Sequence, residues 1–184
     1  MKRTSFARWP CSIARTVDLI GDWWTPLVLR EAYYGVRRFD DFEAGLGIGR
    51  NILTERLRRL VGEGLMERRK YNDRPPRYEY RLTDKGKDFF PVLAAMLAWG
   101  DRWLERDKGA PVLLRHGTCG KVSHAVVVCS ECGEPMHVRD VRPEIGPGFP
   151  ARLLEDPIIR SRYVRTEEPA SLPSTADRPR AGSR

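Results

Sequence analysis

The run IGRNILTERLRRLVGEG, from Ile48 to Gly64, constrains the fold of this chain more than any other stretch. Its apolar residues recur at steps of three and four, which places them along one side of a helix; they are Ile48, Ile52, Leu53, Leu57, Leu60 and Val61. The opposite side then carries Asn51, Thr54, Glu55 and Arg58, with Arg50 and Arg59 beside it. Such side chains suit base edges and phosphates, although a merely solvated helix face would have a similar composition.

The segments on both sides of this helix favour a nucleic-acid-binding arrangement. Upstream, RFDDFEAGLGIG predicts a short helix with Asp40 as its N-cap and a glycine-containing turn, which is the pattern of a helix-turn-helix. Downstream, Gly64 ends the long helix, and LMERRKY and RYEYRL flank NDRPP as the two strands of a hairpin. Together these signals predict a winged helix with Arg74 at the tip of a basic wing.

The order of several motifs resembles that of a known protein family. DLIGDWWTPLVLRE, RRFDDF, LTERLRRLVGEGL, PPRYEYRLTDKG and PVLAAMLAWG follow one another as in the HxlR-type winged helix-turn-helix transcriptional regulators of bacteria, which are similar to MarR-type proteins. The resemblance covers Cys11 to about Asp107. It implies an α+β, mainly α, winged helix-turn-helix domain that dimerises through terminal helices.

Composition and charge limit the classes of function. The net charge of +8 at pH 7 favours a polyanionic partner, and most of the excess falls within residues 1–110. The N-terminus lacks the apolar core of a signal peptide, and the longest apolar run, VLAAMLAW, is far shorter than the roughly 20 residues that span a bilayer. We therefore expect a cytoplasmic protein without membrane contact. Outside the cysteine cluster we find no convergent acid, base and nucleophile, so we expect no enzymatic activity.

The chain divides into four segments by composition. We expect a flexible basic arm, an HxlR-type winged helix domain, a zinc-ribbon-like appendage and a largely disordered tail, at residues 1–10, 11–110, 111–150 and 151–184 respectively. Within the domain, a first helix begins near Ser12, and Thr25 is the predicted N-cap of a second. Trp23 and Trp24 are expected to anchor the contact between these helices, with an aromatic ligand pocket as the alternative.

A long dimerisation helix is predicted after the wing. It begins behind Thr83 as TDKGKDFFPVLAAMLAWGDRWLERD, with Pro91 bending it near its start. Its apolar residues occupy more than one face, so the helix needs its own domain on one side and a partner subunit on the other. The two recognition helices of such a homodimer would read half-sites roughly 34 Å apart, which predicts an inverted-repeat operator on double-stranded DNA.

Individual contacts follow from this arrangement. The expected major-groove residues are Arg50, Asn51, Thr54 and Arg58, and the expected backbone or minor-groove residues are Lys70, Arg74 and Arg77 on the wing, with Arg38 nearby. We expect a sequence-specific transcriptional regulator that acts as a repressor, although the residues do not name the operator, the target genes or an effector. A winged helix that binds another protein is the alternative.

The C-terminal part of the sequence contains a metal-ligand pattern. Cys129, Cys132 and a following glycine form CxxCG, and His116, Cys119 and a following glycine form HxxCG. Two such knuckles predict one structural zinc ion held by these four residues. His137 competes as the fourth ligand, His124 is a weaker candidate, and a ribbon without its metal is the alternative.

Cys11 lies apart from this pattern, at the start of the first helix. The helix dipole and the neighbouring arginines there favour a thiolate. The resemblance implies a thiol- or electrophile-sensing regulator switched through Cys11, although the family often has Cys-Pro where this chain has Pro10 before the cysteine. A small buried residue is the other interpretation.

Overall fold

Four helices, a two-stranded wing and two further helices follow one another in the first part of the chain. The computed structural model describes residues 5–104 and 109–163. Its elements there are α1 (Ser12–Ile20), α2 (Thr25–Tyr33), α3 (Phe39–Leu46), α4 (Arg50–Gly62), β1 (Met66–Asp73), β2 (Pro76–Leu82), α5 (Asp84–Asp88), α6 (Phe90–Trp103), β3 (Leu114–Arg115) and β4 (Val122–Ser123). A 3₁₀ helix (Ala151–Glu155) and α7 (Pro157–Tyr163) come later. The chain separates into two units, residues 1–136 and 137–184.

The core of the winged helix lies beneath α4. Leu53, Leu57 and Leu60 are buried on its inner side, and the buried residues around them are Val28, Leu29, Phe42, Ile48, Leu65 and Met66. The predicted apolar stripe of α4 is therefore confirmed, with one exception. Ile52 is 41% exposed and lies outside this core.

The turn between α1 and α2 is held by Asp22. Its carboxylate accepts hydrogen bonds from the backbone N–H groups of Trp24 and Thr25, both at 2.9 Å, and from the Thr25 hydroxyl. The predicted N-cap at Thr25 is wrong, because Thr25 is the first helical residue and Asp22 binds the free N–H groups instead. Trp23 is 91% exposed, so it is not the predicted core anchor, whereas Trp24 packs partly against the core.

The hairpin forms as predicted. β1 and β2 are antiparallel, with Met66 opposite Leu82 and Asp73 opposite Pro76, and the register shifts between Lys70 and Asn72. The wing is joined to the segment before α3, because the N–H of Tyr80 donates to the carbonyl of Arg37 at 2.7 Å. This contact fixes the base of the wing beside the helix-turn-helix.

The predicted long helix is divided in two. Thr83 caps α5, accepting from the Gly86 N–H at 3.1 Å, but the helix ends at Asp88 and α6 begins at Phe90 with a proline in its first turn. A proline bends or breaks a helix and suits the first position of a new one, which explains the division. The Tyr33 hydroxyl donates to the Gly86 carbonyl at this junction. Burial, with a smaller contribution from Asp88, raises the pKa of Tyr33 to about 12, so the phenol keeps the proton that it donates.

Both ends of the described chain are more ordered than expected. The predicted flexible arm is held at Phe6, whose N–H donates to Asp18 at 3.0 Å. The predicted largely disordered tail differs from the structure over residues 151–163, which contain a 3₁₀ helix and α7. Phe149 and Tyr163 make an edge-to-face contact, with ring centroids 5.2 Å apart, that adds apolar packing to this segment. Residues 164–184 lie outside the described part of the chain.

Candidate nucleic-acid interface

The outward face of α4 carries four exposed polar residues, Asn51, Thr54, Glu55 and Arg58. They lie opposite the leucines that bury the helix, as the periodicity predicted. The Thr54 hydroxyl donates to the carbonyl of Arg50 at 2.8 Å, which directs its proton to the helix and leaves its lone pairs free to accept. The face therefore presents an amide, a hydroxyl acceptor, a guanidinium and the Glu55 carboxylate, which lies 3.5 Å from Arg56 Nη1, to solvent.

The four arginines of α4 have different surroundings. Arg56 Nε lies 3.2 Å from Asp22, and Arg59 Nη2 lies 3.9 Å from Asp18 and also donates to the Asp18 carbonyl at 2.5 Å. In the described part of the chain, no carboxylate forms an ion pair with Arg58. Among the described residues, Arg58 is thus the exposed arginine of α4 whose charge has no ion-pair partner.

Arg50 occupies the junction of α3 and α4. Its Nη1 lies 2.5 Å from Glu43 and 3.5 Å from Asp40, and its guanidinium stacks 4.8 Å from the Phe39 ring. The side chain is still 65% exposed. The structure therefore gives Arg50 the role of joining the two helices of the motif, and its contact with the major groove stays a prediction.

The basic residues predicted on the wing are exposed, but their partners differ. Lys70 Nζ lies 2.6 Å from Asp73, an exposed pair. Arg74 follows β1 at the tip of the hairpin and Arg77 lies in β2, and neither has an ion-pair partner among the residues that the structure describes. Arg74 and Arg77 are the wing residues best placed to contact phosphates.

Sequence reasoning missed the stacking of arginines on tyrosines at the wing. Arg68 lies 3.6 Å from the centre of the Tyr78 ring, and Arg38 lies 5.2 Å from that of Tyr71. Lys70 pairs with Tyr78 in the hairpin, so Arg68 is the diagonal neighbour of that ring. The mixture of basic and aromatic residues in RRKY and RYEY was the sequence signal from which these stacks could have been predicted. These residues line a polar cleft of about 490 Å³ that also includes Arg77 and the acidic start of α3.

The four cysteines are not among the residues that line this cleft. Cys11 is exposed at the N-cap of α1, where its sulfur accepts from the Ala14 N–H at 3.5 Å, so the interpretation as a buried residue is wrong. His116 lies beside Cys119, and Cys129 lies beside Cys132. Hydrogen bonds from the backbone N–H groups of Cys132 and Glu131 lower the pKa of the Cys129 thiol. Within residues 5–104 and 109–163, no three His, Cys, Asp or Glu side chains are gathered as metal ligands.

The described residues include no helix that is long and apolar enough to cross a membrane.

The chain is similar to proteins of one family over most of its length. The HxlR-like helix-turn-helix family matches residues 19–108. The HTH-type transcriptional regulator Rv3095 of Mycobacterium tuberculosis (strain ATCC 25618 / H37Rv) is 47% identical over 142 residues, which cover 77% of this chain and 90% of the relative. The HTH-type regulator sll1512 of Synechocystis sp. (strain ATCC 27184 / PCC 6803 / Kazusa) is 43% identical over 98 residues, covering 53% of this chain and 73% of the relative.

Two solved structures extend the similarity beyond the winged helix. The candidate transcription factor PA1607 superposes with a TM-score of 0.70 at 36% identity, covering 77% of this chain and 99% of the other. The candidate transcription factor PA1374 from Pseudomonas aeruginosa gives a TM-score of 0.56 at 38% identity, with 79% and 99% covered. The sequence identity, the coverage and the observed fold agree: the chain is a transcriptional regulator with a helix-turn-helix DNA-binding domain and belongs to the HxlR-like helix-turn-helix family.

Proposed function

We propose that the chain binds specific double-stranded DNA sequences through α4 and represses transcription from them. The observation that carries the proposal is the division of the arginines of α4, because Arg50, Arg56 and Arg59 pair with carboxylates while the exposed Arg58 has no such partner among the described residues. Asn51 and Thr54 share that face. Arginine and asparagine are the side chains that read guanine and adenine in the major groove. Repression is the simplest consequence of occupying a promoter.

The wing would contact the DNA backbone beside the recognition helix. The exposed guanidinium groups of Arg74 and Arg77 can bind phosphates, and Arg38 and Lys70 would add to the positive field. The arginine–tyrosine stacks restrict the orientation of Arg38 and Arg68 over the wing. A restrained guanidinium loses less side-chain entropy when it binds a phosphate.

We also propose that the protein acts as a homodimer through α6. Val92, Met96, Trp99 and Trp103 recur at steps of four, three and four and are 42%, 51%, 57% and 63% exposed. They form one apolar stripe, while the other side of α6 packs against the winged helix through Leu93. The stripe borders a groove of about 710 Å³ whose lining is almost wholly apolar. A second copy would cover this stripe and place two α4 helices on an inverted repeat.

Two variants separate the proposed roles of helix and wing. We expect Asn51→Ala to reduce discrimination at one base pair by about 1 to 3 kcal/mol, because an amide that reads a base edge is lost. We expect Arg74→Ala to weaken binding to every sequence and to reduce the slope of affinity against salt by about one unit, because one phosphate contact is lost. The measurement is a titration at several salt concentrations with duplexes selected by the wild-type protein and their single-base variants.

A control for these variants, matched in charge to Arg74→Ala, is Lys87→Ala. Lys87 is exposed on α5 and lies 2.8 Å from Asp84, so its charge already has a partner within α5. Its removal should leave both specificity and the salt slope unchanged. If Asn51→Ala and Arg74→Ala had the same effect on all sequences, the division between base contact and phosphate contact would be wrong.

A second candidate function is regulation through Cys11. Its thiol is exposed at the cap of α1, and α1 is joined to α4 because Arg59 donates to the Asp18 carbonyl. Addition of the thiol to an activated alkene, in which a C–S bond replaces the C=C π bond and the neighbouring carbon takes up the thiol proton, would remove the cap and disturb that connection. We expect such alkylation to weaken DNA binding of the wild-type protein and to leave the Cys11→Ser variant unaffected. Equal loss in both proteins would assign the effect to other thiols.

A further inference from the structure

Two segments outside the winged helix share one backbone pattern. In the first, the His116 N–H donates to the Lys121 carbonyl at 2.8 Å, and the His116 carbonyl accepts from the Gly120 N–H at 2.8 Å. In the second, the Cys129 N–H donates to the Glu134 carbonyl at 2.8 Å, and the Cys129 carbonyl accepts from the Gly133 N–H at 2.9 Å. The two loops therefore have the same length and the same closing hydrogen bonds.

The glycines of both loops occupy the same place in this pattern. Gly120 has φ of 67° and Gly133 has φ of 74°, the left-handed conformation that residues with a Cβ rarely adopt. In each loop this glycine directly follows the second ligand-type residue, Cys119 or Cys132. The backbone thus turns back sharply after placing two side chains three residues apart. This is the local geometry that a zinc knuckle requires.

The side chains of the first loop are already spaced as metal ligands. Cys119 Sγ lies 3.4 Å from His116 Nδ1. Zinc–sulfur and zinc–nitrogen bonds of roughly 2.3 and 2.0 Å, at a tetrahedral angle, give a sulfur-to-nitrogen distance of about 3.5 Å. The pair consequently fits one edge of a tetrahedral zinc site without rearrangement.

Each loop lies at the tip of a short hairpin. The first joins β3 to β4, where Leu114 is opposite Ser123 and Arg115 is opposite Val122. The second is closed by a bridge between Val128 and Pro135. Two hairpin tips that each supply two ligands are the arrangement of a zinc ribbon.

The region has no apolar core of its own. No residue between 109 and 136 is buried, and Val126 and Val127 are 65% and 61% exposed. A segment of this size with two-residue strands needs another source of stability, such as a metal ion. The exposed thiols of Cys119 and Cys132 are accessible to such an ion.

We propose that His116, Cys119, Cys129 and Cys132 bind one structural zinc ion. Binding releases the three thiol protons to solvent and uses a neutral imidazole. The structure describes two separate pairs of ligands, not a cluster of three or more. The ion therefore draws the two hairpin tips together, so that metal binding and folding of this segment are one equilibrium. Four protein ligands close the coordination sphere, which makes the role structural.

Metal analysis of the full chain tests the assignment. The protein is expressed with added zinc and purified under reducing conditions, and its zinc content per chain is measured by inductively coupled plasma mass spectrometry. We expect one zinc ion per chain, lost in Cys119→Ser, Cys129→Ser, Cys132→Ser and His116→Ala. The matched controls Cys11→Ser, His124→Ala and His137→Ala should keep it. A wild-type protein without zinc, one ion shared by two chains, or full retention in Cys129→Ser would overturn the proposal.

A titration of the wild-type protein keeps the test decisive if a variant does not fold. Zinc is removed with a chelator, and Co²⁺ alone is added under reducing conditions. Intense visible absorption of tetrahedral thiolate-bound Co²⁺, saturating at one equivalent and abolished by added Zn²⁺, is the expected result. Octahedral Co²⁺ spectra throughout the titration would contradict the proposal. Loss of the signal in His137→Ala but not in His116→Ala would also contradict it, because the fourth ligand would then be His137.

Discussion

Replacing Asp22 by alanine is expected to lower the free energy of unfolding by about 3 kcal/mol, because the change removes one partner of a largely buried ion pair. The Asp22 and Arg56 side chains are only 15% and 16% exposed, and they lie 3.2 Å apart. Arg56 Nε is buried without a well-directed hydrogen bond, so it depends on this charge. Asp22 also caps the first N–H groups of α2.

Urea denaturation followed by circular dichroism measures this effect. Asp22→Asn keeps one oxygen acceptor for the α2 N–H groups, which both bind the same oxygen of Asp22, but loses the charge, so it should cost less than alanine, about 1 to 2 kcal/mol. The matched control is Asp73→Ala, because Asp73 is 86% exposed and pairs with Lys70 at 2.6 Å; it should change stability by less than about 1 kcal/mol. An Asp22→Ala protein as stable as the control would refute the role given to this carboxylate.

Replacing Trp99 by glutamate is expected to produce a folded monomer that binds its operator at least about 100-fold more weakly, because linked half-site binding is lost. Trp99 is 57% exposed in the middle of the α6 stripe, beside Met96 at 51%. A charge buried between two such stripes would have no partner and would strongly disfavour association. The core beneath α4 does not include Trp99, so the winged helix should remain folded.

Sedimentation gives the mass of this variant, and titration with the selected DNA gives its affinity. Val138→Glu is the control, because Val138 is 96% exposed in the other unit and receives the same charge. It should remain a dimer with unchanged affinity. A Trp99→Glu protein that still sediments as a dimer would show that α6 is not the dimer interface.

Local signals in the sequence were sufficient for the architecture of the winged helix. The apolar steps in α4 predicted the burial of Leu53, Leu57 and Leu60, and the alternation around NDRPP predicted the wing. These patterns succeed because helix and strand periodicities are set within one element. Pro91 indicated in the sequence that the following helix would be bent. The structure instead has two helices, α5 and α6, which meet at Phe89.

Long-range contacts explain what the sequence could not predict. The arginines at positions 56, 58 and 59 look equivalent in the sequence, yet two of them pair with Asp22 and Asp18 on the segment before α2. Those partners are distant in sequence, so periodicity cannot identify the arginine that remains outward. The exposure of Trp23 was equally unpredictable from the sequence. An aromatic residue between two helices suggests a core position, but the turn that Asp22 holds leaves Trp23 exposed.

We propose above that a dimer of this chain reads DNA sequence through α4. Selection from a pool of random duplex DNA, followed by titration of the recovered sequences over a range of salt, tests it most directly. The predicted result is an inverted repeat with half-site centres roughly 34 Å apart, bound with an affinity that falls steeply as salt rises. Shallow binding without sequence preference, under both reducing and oxidising conditions, would contradict it and favour a winged helix that binds another protein.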